Sequence, residues 1–217
     1  MIEFDDSRLE DPAALAEADE LLRRLAGAGA RVRIEAEKSA GPIDSLEPIK
    51  PRAIIAVGAE ARLVRAMLEP TAPVPFVAWP RHGLPGWVGT LDLVVVMAPE
   101  GGSPDLIATV HEAARRGCTI LIACPPASTI AEYAASRSTT LLPTSTGDSL
   151  AVAVQMLSAL AHLQLGPDVD PQRVANAMDR VAEDCSPFVD LAANPAKDLA
   201  LAMADAVPLV WGGSVLA

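Results

Sequence analysis

The stretch "VVVMAPEGGSPDLI", Val94 to Ile107, decides the fold. Its first four residues are apolar without alternation, as in a strand buried on both faces. Two glycines follow. Then comes Ser103-Pro104-Asp105, a serine placed to cap a helix with a proline at the first helical position. A strand, a glycine turn and a helix start in that order hold a phosphate in many α/β proteins. Here Glu100 stands beside the two glycines, an acid where an anion would dock.

The same alternation extends on both sides. "RAIIAVG" (52–58), "VPFVAW" (74–79), "LDLVVVM" (91–97), "CTILIAC" (118–124) and "TTLLP" (139–143) read as short buried strands. Between and after them, "AEARLVRAMLE", "SPDLIATVHEAARRG", "ASTIAEYAAS" and "SLAVAVQMLSALAHLQLG" read as helices. The last of these is so apolar that it must be covered on more than one side. Strands alternating with helices predict an α/β fold: a doubly wound, mainly parallel five-stranded sheet flanked by helices. Ligands of such sheets bind outside the C-terminal ends of the strands. Those ends are Gly58, residues 98–103 and residues 143–149. Their candidate contacts are Gly58 and Arg62, then Gly101, Gly102 and Ser103, then Thr144, Ser145 and Ser149.

Outside this block, Asp11 to Ala28 reads as one amphipathic helix and Glu35 to Pro51 as a polar connection without a strong period. Residues 170–185 and 194–205 read as helices, and Val207 to Trp211 as a strand running into a glycine turn. Among 217 residues the net charge is −11 and the pI about 4.6. No Lys/Arg stripe exists to neutralise phosphates, so nucleic acid is excluded as a partner, and an acidic membrane surface with it. No run approaches membrane-spanning length and the acidic start is no signal peptide, so a cytoplasmic protein is expected. Cys118, Cys124 and Cys185 have no metal spacing, and neither metal nor cofactor is expected.

The order of elements resembles the sugar isomerase (SIS) domain, and most of all the bifunctional phosphoglucose/phosphomannose isomerases in their actinobacterial form. The stretches that carry the resemblance are "AIIAVGAEARLV", "LPGWVGTLDLVVVMAPEGGSPDLIATVHEAARRG" and "NPAKDLALAMADAVPLVWG". It implies an SIS-like αβα domain at 51–166, preceded by a helix and connection at 1–50. Residues 167–217 would be helices and the first strand of a second SIS domain. It implies a hexose-phosphate substrate, glucose or mannose 6-phosphate, and a homodimer, with the long helix at 149–166 as a candidate interface.

The site motifs depart from the family pattern. A G-M-G-G-S turn is replaced by Gly58-Ala59-Glu60-Ala61-Arg62. In the S-x-S-G-N-T-E-E-T turn, Gly101 and Ser103 match the glycine and threonine, while Ala98 and Glu100 replace the serines. In P-x-G-x-x-P-R, Ser149 stands at the arginine. Lys197 matches the lysine of an N-x-x-K-x-x-A helix. A carboxylate within a few ångströms of a phosphate opposes it by roughly 4 kcal/mol at an effective dielectric near 20. Aldose–ketose isomerisation also needs a carboxylate base and a ring-opening group. In the family both come from the second domain, and Glu183, Asp184 and Asp190 are poor substitutes. The chain is therefore expected to be either an eroded isomerase half, inactive by itself, or a non-catalytic SIS-fold binding, regulatory or dimerisation module.

Overall fold

A computed structural model describes residues 5–135, 138–204 and 206–209. The chain forms two compact units, one of residues 31–171 and one of the described residues in 1–30 and 172–212.

The first unit is the α/β layer structure. Its strands are β1 (Ile54–Val57), β2 (Phe76–Trp79), β3 (Leu93–Met97), β4 (Thr119–Cys124) and β5 (Thr139–Pro143). They pair in parallel in the order β2-β1-β3-β4-β5, with Ile54 opposite Leu93, Val94 opposite Ile120 and Leu141 opposite Ile122. The fold class expected from the sequence is the observed one. Every residue of β1 and β3 is buried, which is why those runs carry no alternation.

Alternate strand residues feed two cores. Ile54, Leu93, Val95, Met97, Leu121 and Leu142 pack on one face with Val64 and Leu68 of α4 (Ala61–Leu68) and with Val152, Met156 and Leu160 of α7 (Ser149–His162). On the other face, Ile55, Val94, Val96, Ile120 and Ile122 pack with Val110 and Ala113 of α5 (Pro104–Arg115) and Ile130 of α6 (Thr129–Ala134). All residues from Ala151 to Leu157 of α7 are buried. The core covers this stretch, so a dimer interface on the helix is left to its ends, where Leu150 is exposed.

Two sequence readings are corrected at the N-terminal side. The helix expected over 11–28 is split into α1 (Pro12–Ala16), capped by Asp11, and α2 (Asp19–Ala26). The polar connection expected from Glu35 is instead the body of a helix, α3 (Ala28–Asp44). Its buried positions Gly29, Val32, Glu35 and Ser39 are spaced three and four apart, a true helical face. Only Val32 among the four carries a hydrophobic side chain, so the face leaves no hydrophobic period to read.

In the second unit lie α8 (Pro171–Asp184) and α9 (Pro195–Ala204). Of the strand expected at 207–211, residues 207–209 are irregular, with Val207 and Leu209 about 90% exposed, and the rest lies outside the described residues. Among the described residues no helix is long and apolar enough to cross a membrane.

Candidate functional site

The strand order places the topological switch point between β1 and β3, whose following helices α4 and α5 pack on opposite faces. The loops after β1, β3 and β5 come together at this end. A Cβ built on Gly58 in the first loop would lie 3.3 Å from Leu106 of α5, and Gly58 has φ +98°. Gly102 in the second loop has φ +79°, and a Cβ there would come within 2.9 Å of Ile130 Cδ1. Both positions therefore favour glycine for conformation, and a Cβ at Gly102 would also make the Ile130 methyl shift. The first and third loops touch where the Ser149 hydroxyl donates to Glu60 Oε1 at 3.3 Å. The second and third approach where Glu100 Cγ lies 4.0 Å from the Cβ position of Gly147.

The expected site residues of the first unit, Gly58, Arg62, Gly101, Gly102, Ser103, Thr144, Ser145 and Ser149, all belong to these loops or the helix starts behind them. Their hydrogen bonds are largely committed within the protein. The Ser103 hydroxyl accepts the Leu106 N–H at 3.3 Å as the cap of α5. Arg62 is exposed. Thr144 is buried, and its hydroxyl has no hydrogen-bond partner among the described residues. Lys197 belongs to the second unit. It is buried there, and its ammonium donates to the Val189 carbonyl at 2.9 Å.

Glu100 is exposed. Its charge works through water, where repulsion at 4 Å falls to about 1 kcal/mol, so the stronger opposition expected from the sequence does not apply. A different acid lies against the third loop. Glu35 of α3, fully buried, accepts the N–H groups of Ser145 at 2.9 Å and of Thr146 at 2.7 Å on one carboxylate oxygen. Beside it, Gln155 of α7 donates to the carbonyls of Pro143 at 2.9 Å and Glu35 at 3.4 Å, binding helix, loop and strand end together.

Asp148 completes the loop. Its Oδ1 accepts the N–H groups of Leu150 and Ala151, capping α7, and its Oδ2 accepts from Arg31 Nε at 2.7 Å. Burial pushes this carboxyl upward. The Ala151 N–H, the Arg31 guanidinium and the Leu150 N–H outweigh it and hold the group below the ordinary aspartate value. The N-terminus of α7, which would attract a ligand's anion, is thus satisfied by a side chain next to it in sequence.

Glu35, Glu60, Arg31 and Asp148 were not among the residues singled out in the sequence. Asp148 had a signal, an Asp just before a long apolar helix. Glu35 had none, because it reaches a loop 110 residues later. Among the described residues no group of three or more His, Cys, Asp or Glu forms a metal site.

No family model and no curated protein matches the chain. Solved structures do. A candidate phosphosugar isomerase of Bacillus subtilis aligns with TM-score 0.50 and 12% identity, over 68% of this chain and 49% of its own. One from Silicibacter pomeroyi aligns with TM-score 0.49 and 17% identity, over 84% and 57% respectively. The sugar isomerase domain of an RpiR transcription factor from Sphaerobacter thermophilus aligns with TM-score 0.45 and 15% identity, over 71% and 96%. The chain spans about half the length of the first two. The parallel five-stranded sheet and its helical layers form an SIS-like αβα fold, as in the Bacillus subtilis structure.

Proposed function

We propose that this chain is a cytoplasmic, homodimeric SIS-fold module of the phosphoglucose/phosphomannose isomerase kind whose loops no longer hold a hexose phosphate. By itself it does not isomerise sugars, and it serves as a binding or scaffold module. The observation that carries this reading is the contact between Glu60 and Ser149. Where the resemblance asks for an arginine on the substrate there is a serine, and a carboxylate lies against it. Glu60, Glu100 and Asp148 put three acids on the loops at this end; Arg31 is spent on Asp148, which leaves exposed Arg62 as the one guanidinium among the expected site residues. Such an arrangement opposes a phosphate dianion instead of steering it in.

The test is to add glucose 6-phosphate, fructose 6-phosphate or mannose 6-phosphate at millimolar concentration, following both isomerisation and melting temperature. A ligand of the native state must raise the melting point by mass action. Neither turnover nor a shift is expected; saturable stabilisation by any of the three overturns the reading.

A second reading is favoured by length. The chain covers 49% of the Bacillus subtilis structure, and a longer protein could supply the acid and histidine of an isomerase from its other half. Hexose-phosphate turnover by a longer chain containing these residues would establish it.

A further inference from the structure

We propose that the loop between β5 and α7 is an oxyanion-binding site that the protein fills with its own Glu35 carboxylate. A small carboxylate or phosphate takes the same place once that side chain is removed. The inference rests on the reading above, that these loops no longer serve a hexose phosphate, and it names what stands there instead.

Two consecutive main-chain N–H groups, of Ser145 and Thr146, converge on Glu35 Oε1 at 2.9 and 2.7 Å. Successive backbone donors of this kind form an anion nest, whichever molecule carries the anion. The occupant is an acidic side chain taken wholly out of water, with no exposed surface on Glu35, and two fixed donors meet one of its oxygens. The second observation is independent of those two bonds. The hydroxyl of Thr144, 3% exposed and adjoining the two amides in sequence, makes no hydrogen bond among the described residues. It is a spare O–H donor in the same loop, and Glu35 Oε2 is likewise without a hydrogen bond among the described residues, so the built-in carboxylate leaves one donor and one acceptor unused.

The side chain also reaches the nest from a separate element. Glu35 lies on α3, 110 residues before the loop, and α3 is held at this point by Arg31 to Asp148 and by Gln155 to the Glu35 carbonyl. Replacing Glu35 by Ala therefore deletes a methylene and a carboxylate, about one acetate in size, while the neighbouring bonds that shape the loop remain.

The experiment melts wild type, Glu35→Ala and Glu35→Gln in sodium chloride, formate, acetate and inorganic phosphate at constant ionic strength. Glu35→Ala should melt below wild type in chloride. It should regain a substantial part of the loss, saturably and in the millimolar range, with formate or acetate. A gain with phosphate as well extends the site to phosphate groups, and a gain with carboxylates alone restricts it to them. Wild type and Glu35→Gln, whose nest stays filled by a side-chain oxygen, should show no such anion-specific gain. If Glu35→Ala is unfolded in chloride, the same titration reads recovery of folded protein. Anions that stabilise Glu35→Ala no more than wild type overturn the proposal. Stabilisation of wild type by glucose 6-phosphate would instead overturn the reading of the previous section and leave this test standing.

Discussion

Asp148 ties α7, the third loop and α3 into one assembly, and its removal gives the sharpest stability test. Two effects are lost in Asp148→Ala. The first is the α7 cap, in which Oδ1 accepts two N–H groups at 2.9 and 3.0 Å; a lost cap costs about 1 kcal/mol. The second is the bond from Arg31, whose side chain is only 20% exposed and which would keep its charge without this partner. A hydrogen bond to a charged group contributes about 1.5–3 kcal/mol. Together they come to about 3 kcal/mol, and at about 2–4 °C per kcal/mol for a chain of this size the melting point should fall by about 6–12 °C at neutral pH.

The pH dependence follows from the depressed carboxyl. Its folded-state value lies below the ordinary 3.8. The stabilisation is therefore fully present above pH 3.8 and lost as pH falls through the folded value. Denaturant unfolding followed by circular dichroism at neutral pH, and again in acid below the folded-state value, should show the gap between wild type and Asp148→Ala narrowing. A variant melting within 1 °C of wild type at neutral pH would refute the reasoning. So would a gap of the same size at both pH values.

Two other outcomes follow from the same geometry. Gly102→Ala forces a left-handed residue against Ile130 and should cost roughly 1–3 kcal/mol by chemical denaturation, whereas Gly83→Ala, with φ +70° but nothing within 4 Å, should cost only the conformational part, about 1 kcal/mol. Burial pushes the thiols of Cys118 and Cys124 up, so a thiol-specific reagent at neutral pH should react first with half-buried Cys185 and reach the other two only in denaturant.

The sheet was legible because its strands are buried on both faces and each ends in a glycine, proline or polar turn. The five apolar runs locate β1 to β5 to within a few residues, and Ser103-Pro104 marks the start of α5. The glycines of the first two loops were legible as well: Gly58, Gly101 and Gly102 all adopt positive φ. What holds those loops was not. Gly29, Val32, Glu35 and Ser39 form a buried face with a single hydrophobic side chain, and no local pattern distinguishes that from a solvated segment. Nor does any local pattern link Glu35 to Ser145. Glu100, which the sequence set against a docked anion, faces solvent, while the acid held by loop amides is Glu35.

Residue-resolved amide shifts during a titration of wild-type protein with glucose 6-phosphate test the central claim most directly, because Gly58, Gly101, Ser145 and Thr146 each report on one loop. With Glu35 on the Ser145 and Thr146 amides and acids along the three loops, these signals should stay in place through millimolar ligand. Saturable movement of the Ser145 and Thr146 signals together would show the sugar phosphate reaching the nest and would contradict the account.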